Sequence, residues 1–196
     1  ISYRDTVIQI VSYDGNPIPA AAFAQSEIIS VQRYLPPTAE SWLIGGSGAD
    51  ILVAGATATN MIGGSGNDRM TGSAFDDILD GGAGNDTLFG GAGNDLLSAG
   101  TGPANQVYGG EGNDTIYGGA DKDLAYGDGA DDVIWGYDGN DSLFGGAGDD
   151  TVNGGSGADS LVGADGNDIL FGELGNDIIR GMAGDDTVYG GAGNDN

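Results

Sequence analysis

The chain has 196 residues, 41 of them glycine, with no cysteine and no histidine, and its 30 acidic against 5 basic side chains leave a net charge of −25. Such a charge repels nucleic acid and anionic membrane surfaces, and the missing cysteine and histidine exclude disulfides, thiolate or imidazole metal sites and the usual nucleophile and base pairs. No run approaches the roughly eighteen apolar residues that cross a bilayer.

Residues 1–44 contain one glycine, Gly15, and form a unit of their own. Thr6 to Tyr13 alternates apolar and polar and meets Asp14-Gly15-Asn16-Pro17, which predicts a strand and then a turn. Ile28 to Leu35 predicts a second strand, ended by Pro36 and Pro37. The expected role of this unit is a β cap that closes the open N-terminal end of the glycine-rich array beginning at Gly45, with Trp42 and Leu43 over its first rung; the alternative is the tail of an upstream domain. A start at Ile1 without methionine and a stop part-way through a motif, GGAGNDN, are expected of a segment of a longer protein.

From Gly45 to Asn196 the chain repeats every nine residues as G-G-x-G-x-D-x-U-x, with U a large aliphatic residue; Gly81 to Ser98 reads GGAGNDTLF GGAGNDLLS. Seventeen copies start between 45 and 190, and fifteen of them carry aspartate at the sixth position. The first six residues have turn chemistry, since glycine tolerates positive φ and lets carbonyls point inward. The last three have strand chemistry, with the middle one on the opposite face from its neighbours. One buried residue in nine cannot make a globular core, but stacked coils can share one. Two copies per turn predict an all-β, right-handed parallel β-roll, a solenoid of nonapeptide repeats over 45–196 with its N-terminal β cap over 1–44, and turns about 4.8 Å apart.

In such a roll each aspartate lies beside the one two copies on. Asp114, Asp132, Asp150, Asp168 and Asp186 form one column and Asp123, Asp141, Asp159, Asp177 and Asp195 the other. Carboxylates about 5 Å apart repel by roughly 3 kcal/mol at an effective dielectric of about 20. A divalent ion between each pair reverses that sign, and carboxylates with inward carbonyls can supply the six to eight oxygens that Ca²⁺ takes. Magnesium, with its tight octahedron and retained waters, fits a backbone-rich cage poorly.

These nonads resemble those of the RTX (repeats-in-toxin) family of hemolysin-type calcium-binding repeats, whose parallel β-roll binds calcium. The resemblance covers 45–196. It implies several Ca²⁺ ions, about six to nine, held by the sixth-position aspartates Asp50, Asp68, Asp77, Asp86, Asp95, Asp114, Asp123, Asp132, Asp141, Asp150, Asp159, Asp168, Asp177, Asp186 and Asp195. It further implies backbone carbonyl ligands, here assigned to Gly82, Gly84, Gly91, Gly93, Gly110, Gly112, Gly127, Gly129, Gly136, Gly139, Gly145, Ala147, Gly154, Ser156, Gly163, Gly166, Gly172 and Gly175. A secreted or cell-surface parent is implied as well, exported by a bacterial type I system and folded on meeting external calcium.

Departures from the motif mark weaker places. The copy at 54 has Thr59 for aspartate, and the ten-residue segment Ala99 to Tyr108 has Pro103 and Asn105. Phe75, Asp121 and Ala130 replace the fourth-position glycine, which predicts distorted carbonyls. The regular run after Gly109 is therefore expected to depend on its aspartates more than the stretch around Asp68.

The ninth positions carry outward aromatics: Phe89, Tyr108, Tyr126, Phe144 and Val162 on one sheet, Tyr117, Trp135, Phe171 and Tyr189 on the other. Aromatic ladders within one sheet account for them. The alternative is a contact face for self-association or another surface protein, making the chain a surface-layer, adhesin or filament module. A flat threonine row of the ice-binding kind is absent. No catalytic constellation or pocket is expected among flat tandem loops, so the chain is read as a non-enzyme.

Overall fold

The structure is a computed structural model that describes residues 41–196; the expected cap strands, 6–13 and 28–35, lie outside the described residues. Every regular element in 41–196 is a β-strand, and every pairing is parallel. One stack runs β1 (Ser41–Gly46), β3 (Thr59–Ser65), β5 (Ile78–Ala83), β7 (Leu96–Ser98), the first part of β9 (Thr115–Gly129), β10 (Val133–Asp138), β12 (Thr151–Ser156), β14 (Ile169–Leu174) and β16 (Thr187–Ala192). The other runs β2 (Ile51–Val53), β4 (Arg69–Thr71), β6 (Thr87–Ala92), β8 (Thr101–Glu111), the second part of β9, β11 (Ser142–Ala147), β13 (Ser160–Asp165) and β15 (Ile178–Ala183). The chain therefore alternates between two sheets, one nonad in each, as a parallel β-solenoid of about eight turns. Its first strand begins at Ser41, a few residues before the expected boundary, so Leu43 belongs to the coil itself.

Partners across a ladder are 18 residues apart, and 19 where the ten-residue segment intervenes. The added residue is taken up between Thr101 and Ala104, where the register of β8 on β9 shifts. Beyond that bulge Asn105 falls into line with the aspartates, and Val107 into line with Leu88 and Ala125.

The eighth positions make the core. Leu52, Met61, Met70, Leu79, Leu88 and Leu97 are fully buried, and the series continues through Ile116, Ile134, Leu143 and Leu161 to Leu170. Alternation within each strand produces this row: β12 runs intermediate, buried, intermediate, buried from Thr151 to Gly154. Each such side chain contributes about 1.5–3 kcal/mol. At the far end Val188 is 48% exposed and Ile179 only partly buried, since no further turn lies over them.

Candidate metal centre

The glycine loops stack along the two edges of the coil, and the sixth-position side chains turn inward with them. The two columns of aspartates anticipated from the nine-residue spacing are present, and both continue towards the N-terminus. On one edge the order is Asp50, Asp68, Asp86, Asn105, Asp123, Asp141, Asp159, Asp177, Asp195. On the other it is Thr59, Asp77, Asp95, Asp114, Asp132, Asp150, Asp168, Asp186. Each Oδ1 accepts the backbone N–H of the column member one turn earlier; Asp132 donates to Asp150 Oδ1 at 2.8 Å and Asp141 to Asp159 Oδ1 at 2.8 Å. This ladder could not be read from motif spacing, because its donors are backbone groups. A second ladder runs the other way at the fifth position, where Asn85 N–H donates to Asn67 Oδ1 at 3.0 Å and Asp149 N–H to Asp131 Oδ1 at 2.8 Å. Its signal in the sequence was the recurrent Asn or Asp that precedes the aspartate.

The other carboxylate oxygen is left over. Among the described residues, Oδ2 of Asp50, Asp68, Asp86, Asp95, Asp114, Asp123, Asp132, Asp141, Asp150, Asp159, Asp168 and Asp177 is buried without a hydrogen-bond partner. Each faces the first glycine of its own loop, and for all but Asp150 and Asp168 a carbonyl of the next turn is among the atoms nearest the same point. A Cβ on Gly136 would stand 2.5 Å from both Asp141 Oδ2 and the Gly154 carbonyl oxygen. Burial pushes six of these carboxyls well up, Asp132 to about 8, Asp95 and Asp141 to about 7, Asp114, Asp123 and Asp150 to about 6. The N–H from the preceding column member draws each back down, and nearby carboxylates add to the rise. A buried, unpaired anionic oxygen calls for a cation.

Among the described residues no three acidic side chains converge into a cage, so backbone oxygens must complete any coordination sphere. That donor set, all oxygen and mostly carbonyl, suits calcium. Residues of the motif's first, second and fourth positions direct carbonyls between turns. The Gly127, Gly136, Gly145, Gly154 and Gly172 carbonyls face the first glycine one turn back, and those of Gly82, Gly84, Gly91, Gly93, Gly139, Gly166 and Gly175 face the loop one turn on. Three of the carbonyls expected as ligands take part in hydrogen bonds between loops: Gly129, Ala147 and Ser156 accept N–H bonds from Gly112, Ala130 and Gly139 at 3.1, 2.6 and 2.8 Å. As third-position groups they serve the backbone ladder between loops.

Asp77 also departs from expectation. Its Oδ2 accepts the N–H of Ser73, at 2.5 Å, within its own loop, so this oxygen, unlike the twelve above, has a hydrogen-bond partner of its own. The loop is turned differently at Phe75: neither it nor Ser73 takes positive φ, and the Phe75 carbonyl carbon, not its oxygen, lies nearest the Gly93 position. Asp121 and Ala130 behave otherwise. Both adopt positive φ, +75° and +78°, and their carbonyl oxygens face Gly139 and Gly148 as a glycine's would. Asp68, expected to sit among weak loops, has regular Asp50 and Asp86 on either side, because its neighbours in sequence belong to the opposite edge.

On the outer faces the ninth-position rings stack on one another. Phe89, Tyr108, Tyr126 and Phe144 form a file with centroids 4.9, 5.2 and 4.7 Å apart, and Arg69 lies 4.4 Å over the Phe89 ring. Tyr117 with Trp135 and Phe171 with Tyr189 do the same on the second sheet, separated by Asn153.

A family model described as the RTX calcium-binding nonapeptide repeat matches residues 41–58, 62–97, 99–132, 126–161 and 162–196. No curated protein matches the chain. Among solved structures, a hyperactive, Ca²⁺-dependent, β-helical antifreeze protein from an Antarctic bacterium aligns with 24% identity and a TM-score of 0.40 over 78% of this chain. The chain spans 64% of that protein's length.

Proposed function

Because the chain belongs to the RTX calcium-binding nonapeptide repeat family, we propose that it is the calcium-responsive folding module of an exported bacterial protein. In this reading Ca²⁺ is held between successive loops of one edge by the sixth-position carboxylates and by first-, second- and fourth-position carbonyls. The observation that carries it is the file of buried aspartate Oδ2 atoms without partners. Bound calcium supplies charge neutralisation and links neighbouring turns; the chain's own work is to present oxygens at fixed spacing and to exclude water with the core row.

Metal binding and folding then become one event. Without the ion, desolvated carboxylates and the ordering of 40 glycines beyond residue 44 both oppose the coil. In the low calcium of a cytoplasm the chain stays open for export, and outside the cell it closes and stabilises its parent. No helix among the described residues is long and apolar enough to cross a membrane. Its role is structural, with any catalysis belonging to a partner domain.

Far-UV circular dichroism during a calcium titration, with magnesium in parallel, tests the reading. A cooperative gain of β signal with calcium alone is expected. A spectrum indifferent to calcium would overturn it and leave the aspartate columns to another role.

A further inference from the structure

Two positions of the motif vary together along the chain. All fifteen loops with a sixth-position aspartate begin on glycine, and the two without it, at Thr59 and Asn105, begin on alanine, Ala54 and Ala99. The geometry supplies the reason. At each of those fifteen glycines an added Cβ would stand at most 2.9 Å from Oδ2 of the aspartate in the same loop. At most of them a carbonyl oxygen of the next turn stands about as close, so a methyl group there fills the recess in which carboxylate and carbonyl oxygens meet.

Where alanine is present, the recess is filled. Ala99 is completely buried and belongs to the apolar core, and Ala54 packs against that core. Asn105 preserves the edge ladder, accepting the Asp86 N–H on Oδ1 at 2.9 Å and giving its own N–H to Asp123 Oδ1 at 3.1 Å. Its Nδ2, buried without a hydrogen bond, puts a donor where the aspartates put an acceptor, an arrangement hostile to a cation. Thr59 gives its N–H to Asp77 Oδ1 and spends its hydroxyl on the Thr57 carbonyl at 2.9 Å.

We propose that alanine at the first position of a loop shuts that loop to a cation, and that Ala54 with Thr59 and Ala99 with Asn105 form two closed joints that bind their turns together without metal. This rests on the calcium reading above. It divides the sites into three groups: Asp50 to Asp86 on one edge, Asp123 to Asp195 beyond the Asn105 joint, and Asp95 to Asp186 on the other edge, beyond Thr59 and the self-satisfied Asp77. The joints also interrupt the like-charge columns of the two edges.

The test is bound-calcium stoichiometry, by equilibrium dialysis, and thermal melting in saturating calcium, on the full chain and its variants. Asn105→Asp alone should bind no additional ion and melt lower than the parent, whereas Ala99→Gly with Asn105→Asp should bind about two more ions, one on each side of the opened loop, and recover the melting temperature. In the regular run, Gly136→Ala with Asp141→Asn should lose about two ions while keeping its β spectrum, and Gly136→Ala alone should melt well below that pair. If Asn105→Asp alone gains as many ions as the double variant, or the double gains none, or Gly136→Ala melts no lower than its pair, the proposal falls. A parent chain that binds no calcium would instead remove the reading on which the proposal rests.

Discussion

Loops 72 and 127 lack the same glycine and resolve the loss in opposite ways. Ala130 accepts a φ of +78° and keeps its carbonyl directed at the next turn; Phe75 stays out of the left-handed region, and Ser73 then donates to Asp77. Bulk alone does not bar positive φ in these loops, since Tyr137 and Met182, at second positions, take φ of +73° and +80°. The two loops differ in their neighbours. Loop 127 lies between regular loops at 109 and 145, whereas loop 72 rests on one side against the loop that ends in Thr59. A left-handed non-glycine residue costs of order 1–2 kcal/mol and survives only where its surroundings over-determine it. Loop shape in this coil is imposed along the stack more than by the loop's own residues.

The hardest way to break the comparison is to remove the metal. Chelation of calcium should strip hydrogen-exchange protection from amides across 109–186 far more than from those of 54–59 and 72–77, where Thr59 and Asp77 are satisfied internally. Equal losses would place the metal dependence outside the aspartate recesses.

Next in size, Asp150→Ala should cost about two bound ions and split the melting transition, while Asp77→Ala should change calcium stoichiometry little. Asp68→Ala should group with Asp150→Ala, because Asp68 stands between two regular members of its column. Grouping with Asp77 would mean that sequence neighbours, and not column neighbours, set the strength of a loop.

Proton linkage gives a smaller, graded effect whose sign depends on calcium. Burial raises Asp132 from 3.8 to about 8, so without calcium the folded coil retains protons that the unfolded chain has already released. Stability of the calcium-free coil is therefore fully present below about pH 4 and is lost as pH climbs through about 6 to 8. With calcium the direction reverses, since protons compete for the same oxygens and apparent affinity falls as pH drops through that window. Melting curves at stepped pH, with calcium and with chelator, should slope in opposite directions; parallel slopes would sink the assignment of these carboxylates as ligands.

The smallest effects sharpen the loop comparison itself. Ala130→Gly should gain up to about 1 kcal/mol by relieving strain, net of glycine's entropy. Phe75→Gly should instead restore the regular loop, free Asp77 Oδ2 and raise calcium stoichiometry. Unchanged binding in that variant would show that loop 54, not Phe75, closes the Asp77 site.

Much of this architecture was legible in the nine-residue beat. A nearly constant period gives parallel pairing at a nearly fixed offset, and two nonads per turn bury the aliphatic eighth residue. The columns of aspartates came with that pairing. Less legible was what each carboxylate does: one oxygen caps a backbone N–H of the adjacent turn, a contact that no side-chain pattern encodes. Asp77 looked like its fourteen relatives because the event that satisfies it, a rotated peptide at Phe75, depends on the loop one turn away. The stretch around Asp68 is stronger than its sequence suggests for a related reason, since linear adjacency alternates between edges. Residues 102–103 gave no hint that they would absorb the extra residue so cleanly that Asn105 stays in line.

The alternation has a consequence for how such an array can lengthen or shorten. Successive nonads occupy opposite edges and opposite sheets, so the gain or loss of a single copy would transpose every later loop. Phe144 would leave the file it shares with Phe89, Tyr108 and Tyr126, and the two acidic edges would exchange members. A paired gain or loss leaves every downstream surface where it was. The near-identical halves of Gly81 to Ser98 make up one such unit, so duplication of that whole eighteen-residue segment would extend the coil while preserving both of its faces.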